Sequence, residues 1–451
     1  MICNQHRHST VEPRVSLLDA LFGIVLAALL ATAARGADQP ARPGAKAELY
    51  VTSGHRSIGE IRSSGQAGVV RWQSVGSDAP RDFAWNDLNA IEWPPAPAQP
   101  KPTGDFRFEL AAGDVLFGSL LALNEQQAEL DVPRLGRIHV QRANLHRIDQ
   151  WRDGAVSTYQ GPNGLAGWHE LNGQKNWRDD SGRPMTDREG AAIVGDFKLP
   201  ARARIEFEIS WKSKPDFIFA RGVDDTAESA KRAFKFEAWG SDLIIQRELP
   251  DEADLNIVQE LDRGPRRCRF QAYIDQEIGR IFVFSPEGKQ LSNLRVGSTR
   301  RAALPGLSLV NLGGDVRLDS LRIGPWNGEV PTAVPPGLTR IISADGSAID
   351  GQLTGFDVAS KEFQLKTQTG ERRIPFSQVS SVLLAGAGNF APPMIRAVLQ
   401  DGSRLSGEPG KVEDGALALT VPGIREPLRL RLESLRSLVV IRHDNPPGKS
   451  P

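Results

Sequence analysis

The chain has 451 residues, too many for one ordinary core, so several domains are expected. Lys plus Arg and Asp plus Glu stand at 55 each, giving a formal net charge of +0, and that balance argues against a general nucleic-acid binder. With 40% apolar residues, 44 glycines and 31 prolines against 3 methionines, the composition fits a folded protein rich in turns and short strands, not a disordered one.

The chain opens on an export signal. Arg7 and Arg14 precede an apolar run from Ala20 to Ala34, and Ala34-Arg35-Gly36 places small residues at a cleavage position. The run is shorter than the ~20 residues that span a bilayer, so residues 1–36 are expected to be a cleaved signal peptide. The mature chain would then be periplasmic, cell-surface or extracellular. A retained N-terminal anchor is the alternative, and no later segment approaches a transmembrane span. Of the two cysteines, Cys3 would leave with the signal, and Cys268 is expected to be a small buried apolar residue.

Four repeats come next, two on each side of a central block. Each contains two glycines five residues apart: Gly54/Gly59, Gly113/Gly118, Gly346/Gly351 and Gly402/Gly407. Each ends on a signature at relative positions 0, 3 and 6. These endings are Trp85/Leu88/Ile91, Arg142/Leu145/Ile148 (its first position polar), Phe376/Val379/Val382 and Leu432/Leu435/Leu438. Such a period marks one folding unit per copy. The first glycine is expected in a turn, as in Asp345-Gly346 and Asp401-Gly402. The second is expected inside the following strand, where a missing side chain lets the strand bend or another backbone approach. The units span 47–93, 105–151, 338–385 and 394–442, with proline-rich punctuation at 94–102, 330–336 and 386–393. Units of this size are marginal alone and should pack on one another or on the centre. A disordered tail is expected over 443–451.

The third copy, Asp345-Gly-Ser-Ala-Ile-Asp-Gly-Gln-Leu-Thr-Gly-Phe-Asp357 followed by Phe363-Gln-Leu365, resembles the first signature of Sm-like barrels. The likeness covers about fifty residues per copy and implies the fold without the RNA site. Where that family carries an RNA-contacting asparagine, this chain has Gln127, Glu362 and Ala416 in its second, third and fourth copies. The basic-glycine ending of the family is missing after Ile148, Val382 and Leu438.

Between the repeats, residues 155–328 read as all-β. Ile205, Phe207, Ile209 and Trp211 alternate along one strand, and further strands run through Phe217–Ala220, Phe234–Trp239, Arg269–Ile274, Arg280–Phe284, Gly306–Val310 and Val316–Ile323. Two packed antiparallel sheets are expected. The landmarks Gly167-Trp168, Trp177, the Leu199-Pro200 step and the closing Ile323-Gly-Pro-Trp-Asn-Gly328 resemble the concanavalin A-like jelly roll, of the laminin-G-like and 3-keto-disaccharide hydrolase type. That resemblance implies an exported lectin-like or hydrolase-like sandwich. The overall expectation is an all-β chain, with a two-sheet jelly-roll sandwich flanked by two pairs of small Sm/SH3-like barrels.

Chemistry-bearing residues are few. Trp168, Trp177, Trp211, Trp239 and Trp326 can stack on sugars or fill a core, and Trp239 beside Gly240 is the strongest platform candidate. The candidate ligand-binding residues are Trp239, Glu237, Trp211 and Arg221. Glu206 and Glu208 share a strand face and, with Glu237, are the carboxylates on which glycoside hydrolysis would depend; as a bland reading they are solvated outer-face residues. No zinc spacing occurs, no cofactor is expected, and Asp179-Asp180 and Asp224-Asp225 are the only calcium candidates. Arg263 to Arg269 is a basic cluster that either attracts acidic polymers or forms a solvated sheet edge. The reading that results is an exported binding or scaffold protein. Its sandwich would bind glycan or envelope components, with barrels as spacers or protein-docking units. The rivals are a glycoside hydrolase using the sandwich and a structural assembly protein with no small ligand.

Overall fold

The computed structural model describes residues 46–94, 96, 100, 102–151, 159–171, 173, 175–180, 182–212, 214–262, 266–286, 288–297, 301–330, 332, 334–335, 337–384, 388 and 390–441. The expected signal peptide, the expected tail and residues 263–265 of the basic cluster lie outside these. The described chain is all-β apart from short 3-10 turns and one helix, Ala227–Arg232. That helix departs from the expected helix-free block. Thr226 caps it by accepting a hydrogen bond from the Ser229 N–H.

The centre is a two-sheet sandwich. One sheet runs in the order Arg178–Asp179, Pro184–Thr186, Val316–Pro325, Arg202–Ser210, Arg267–Asp275, Arg280–Phe284 and Gln290–Arg295, with Tyr159–Gly161 also paired to Val316–Pro325. The other runs His169–Glu170, Ala192–Asp196, Gly306–Asn311, Phe217–Val223, Phe234–Trp239, Asp242–Glu248 and Ala253–Glu260. Period-two alternation builds the core between them. Ile205, Phe207 and Ile209 are fully buried, and the Phe207 ring lies 4.7 Å from Phe219 and 5.0 Å from Phe236 of the facing sheet.

Each repeat has five strands with one pairing plan. Its first strand pairs with its second and fifth, the second with the third, and the third with the fourth. The closing signature has a structural cause. Position 0 opens a 3-10 turn, at Trp85–Asp87, Arg142–Asn144, Phe376–Gln378 and Leu432–Ser434. Position 3 begins the fifth strand, and position 6 lies three residues along it. Residues three apart on a regular strand face opposite sides. A bulge in every copy, which skips Asn89, His146, Ser380 or Arg436, returns positions 3 and 6 to the same buried face.

The second glycines are sites of close approach. A Cβ at Gly59, Gly118, Gly351 or Gly407 would stand 2.2, 2.3, 2.7 or 2.3 Å from a carbonyl oxygen of the neighbouring strand.

The repeats do not pair as sequence neighbours. The fifth strands of the second and third copies pair edge to edge, with Ile148 opposite Val382, and those of the first and fourth do likewise, with Ile91 opposite Leu438. Through these and smaller bridges all four copies join one hydrogen-bonded network of 20 strands over one continuous apolar core. The units thus pack on one another, each with a copy distant in sequence and not with its neighbour along the chain. The cause is that each fifth strand leaves an open edge, and the matching edge comes from a copy distant in sequence.

This body docks on the outer face of the sandwich sheet that contains Arg202–Ser210. Glu206 and Glu208, read as solvated, are buried there. Arg147 reaches Glu206 at 2.6 Å, Arg404 reaches Glu208 at 3.1 Å, and Arg322 reaches Asp149 at 2.6 Å. Arg267 and Arg269 are also drawn in, to Glu208 at 3.5 Å and to Glu109 at 2.6 Å. Their strand is internal to the sheet, so the reading of a solvated edge is corrected for these two residues.

Candidate functional site

With one outer face of the sandwich occupied, the other is the outer face of the sheet that contains Phe234–Trp239. Antiparallel register places Ile218, Glu237, Ile244 and Ile257 in one row across it, and Ala220, Lys235, Gln246 and Leu255 in the next. Trp239 ends its strand opposite Asp242, across a two-residue Gly240-Ser241 hairpin in which Gly240 adopts φ +63°. The alternation of this strand sends Phe234, Phe236 and Ala238 inward and Lys235, Glu237 and Trp239 outward.

Trp239 is 47% exposed, Leu255 45% and Ile257 57%. The other four tryptophans of the sandwich are buried. Gln246 donates a hydrogen bond to the Glu237 carboxylate through Nε2, so the face carries an oriented amide–carboxylate pair beside its apolar residues. Trp239 and Glu237 are therefore brought together on one open sheet face.

The other two candidates are elsewhere. Trp211 is buried and its ring lies 6.2 Å from Phe217; it belongs to the core, because it continues the inward parity of Ile205, Phe207 and Ile209. Arg221 is fully buried between the sheets and lines a separate cavity at the end of its strand. Leu255 and Ile257 escaped the sequence reading. Their alternation looks like a buried stripe, yet here Asn256 and Val258 point inward, with Asn256 bonded to Ser292 of the opposite sheet.

Of the carboxylates proposed for hydrolysis, Glu206 and Glu208 meet a cleft of about 320 Å³ between the sandwich and the repeats, while Glu237 stands apart on the outer face of the other sheet. The first two are committed to arginines. Burial pushes the Glu206 carboxyl up, but Arg147, then Arg204 and Arg322, overcome it and hold its pKa at about 2. Burial also opposes ionisation of Glu208, and Arg404 and Arg269 hold it well below the usual carboxylate range. A general acid must keep its proton near neutral pH, and neither group can.

The calcium candidates are similarly engaged. Asp180 pairs with Arg317 at 3.1 Å and Arg436 at 3.3 Å, and Asp179 accepts the Gly182 N–H. Asp224 accepts the Thr226 N–H at 2.8 Å, while Asp225 meets His169 at 3.0 Å. Among the described residues no cluster of three or more His, Cys, Asp or Glu side chains is placed to hold a metal. Cys268 is buried, and burial pushes its thiol well above the ordinary range, which removes it as a nucleophile.

No family model matches the chain. No curated protein matches it either. Solved structures do. The carbohydrate-binding module CBM66 from Bacillus subtilis is 13% identical, covering 35% of this chain and 92% of its own, with a TM-score of 0.23. The exoplasmic/lumenal domain of VIP36, in a Ca2+/Man3GlcNAc-bound form, is 9% identical over 39% of this chain and 90% of its own, with a TM-score of 0.29. LamAcat from Zobellia galactanivorans is 13% identical over 39% and 97%, with a TM-score of 0.27. At these scores the likenesses carry no argument about a ligand, and the site stands on its own geometry.

Proposed function

We propose that this is an exported, non-catalytic glycan-binding protein, in which the open outer face of the sandwich takes a saccharide and the repeats, read as small Sm-like barrels, form the base that holds it. The observation that carries this reading is the exposed indole of Trp239, beside exposed Leu255 and Ile257, at the end of the outer sheet face away from the helix Ala227–Arg232, whose Ala230 packs near Ala220 and Val194. An indole offers a flat apolar surface with a negative π face, which suits the C–H face of a sugar ring. Glu237 and Gln246 next to it supply the hydrogen-bond acceptor and donor that sugar hydroxyls need. Leu255 and Ile257 extend the apolar strip. Arg7 and Arg14 ahead of the apolar run from Ala20 to Ala34 support export.

Trp239→Ala tests this directly. On a glycan array the variant should retain its best saccharide at least about tenfold more weakly, the loss of one anchoring contact of about 1.4 kcal/mol. Its melting temperature should stay close to that of the parent, because nearly half of the residue already meets water. Unchanged retention, or collapse of the fold, would remove the reading's central residue.

A further inference from the structure

A second cavity, of about 420 Å³, opens where the strand Phe217–Val223 ends, away from the sheet face that carries Trp239. Its wall includes Arg221, Arg232, Arg247 and Arg301, against a single carboxylate, Asp224. That carboxylate is already occupied by the Thr226 N–H. Thr226, Ser229 and Gln276 add neutral polar groups.

Among the described residues, Arg221 and Arg301 leave guanidinium nitrogens without a hydrogen-bond partner, and Arg247 is bonded to carbonyls and not to an acid. Arg247 donates to main-chain carbonyls, from Nε to Arg232 at 3.0 Å and from Nη1 to Val296 at 2.8 Å, and lies 4.6 Å from the centre of the Phe234 ring. Arg301 has a buried Nε with no hydrogen-bond partner among the described residues. Arg221 is the extreme case. It is 0% exposed, and all three of its guanidinium nitrogens lack a partner among the described residues. Its nearest company is aromatic, with the guanidinium carbon 4.2 Å from the Phe236 ring centre and 5.3 Å from that of Phe207. Ring faces attract a cation but accept few hydrogen bonds. Buried charges are otherwise paired, and buried donors are otherwise satisfied.

We propose that this cavity is a carboxylate-binding site, shaped for a sugar-sized carboxylic acid such as a uronic acid. The missing partner is an anion, and the arginine fork matches a planar carboxylate in a bidentate way. The volume lies in the range of small-ligand pockets and exceeds what a bare ion fills. Thr226, Ser229 and Gln276 give their hydrogens to Asp224 and to main-chain carbonyls, which leaves their oxygens to accept from a ring hydroxyl. Burial draws the pKa of Arg221 down to about 9, and burial followed by Arg301 draws that of Arg247 to about 10; a bound anion would reverse both effects.

Titration calorimetry of the full chain with glucuronate, glucose and acetate tests the site. Glucuronate should bind and glucose, of the same ring size without the charge, should not. Arg301→Gln should weaken glucuronate at least about tenfold, as loss of a charge-assisted hydrogen bond does. Arg221→Met should abolish binding while leaving the fold at least as stable, because no acid loses its partner. Trp239→Ala should leave glucuronate binding unchanged, so this site and the sheet face can fail independently. Acetate binding as tightly as glucuronate would support carboxylate recognition and assign the source to free organic acids rather than sugars. Absence of glucuronate binding, equal binding of glucose, or full binding by both arginine variants would overturn the proposal.

Discussion

Glu208 shows what a carboxylate requires in order to sit almost out of water. Arg404, from the fourth repeat, meets its two oxygens at 3.2 and 3.1 Å, and the same guanidinium gives its Nε to the Gly113 carbonyl at 2.8 Å. One side chain thus ties the sandwich to two repeats. Arg404→Met would leave Glu208 with Arg267 at 3.5 Å and the field of Arg269. Removing one partner of a buried pair strands the other charge, at a cost of about 3–5 kcal/mol. Urea unfolding should show that loss for the single variant, and most of it should return when Glu208→Met is added, since the pair as a whole contributes far less than its rupture costs. A single variant as stable as the parent would mean that water reaches Glu208.

At the scale of the strand, the repeat glycines are the most sharply constrained positions. An added methyl at Gly407 would lie 2.3 Å from the Thr420 carbonyl oxygen, so Gly407→Ala forces two paired strands apart. Overpacking of this kind costs about 1–3 kcal/mol. Gly65, with nothing within 4 Å of its would-be Cβ, is the control, and its alanine variant should fall within about 0.5 kcal/mol of the parent. Thermal melts of the two variants settle the point, and equal stability would refute it. These glycines were legible in the sequence because a backbone that must come close leaves no choice of residue. The closing signature was legible as a pattern but not as a bulge, since a three-residue spacing fits helix and bulged strand alike. The sandwich core was legible from parity. Parity could not say whether the outward residues Glu206 and Glu208 meet water, because their partners Arg147 and Arg404 come from parts of the chain 59 and 196 residues away. It named no strand over Leu255 and Ile257, a segment that pairs with a register shift between Leu243 and Ile244. Of the four candidate ligand residues, Trp239 was legible from its place at a hairpin. The arginine cavity was named only through Arg221, because Arg247 and Arg301, which complete it, are distant from it in sequence.

The whole molecule has two main apolar cores, one inside the sandwich and one running through the repeats, and the contact between them is largely ionic. Its stability should therefore respond to acid in a particular way. Burial works against ionisation of Glu109 and Glu206, yet Arg269 for the first and Arg147 for the second hold each at about 2, below the ordinary 4.5. Glu208 and Asp149 are depressed as well. A carboxyl with a lowered folded pKa binds its proton more readily in the unfolded chain. Its contribution is fully present above about pH 4.5 and disappears as pH falls through about 2. Over that window the interface also gains unbalanced positive charge, because Arg147, Arg269, Arg322 and Arg404 keep theirs. The apolar cores have no comparable sensitivity. Calorimetry should show one cooperative transition at neutral pH that separates into two as pH falls from about 4.5 towards about 2, the sandwich and the repeat body melting independently. A single transition that moves down as a unit across the same window would mean that the two cores are coupled by packing and not by these ion pairs.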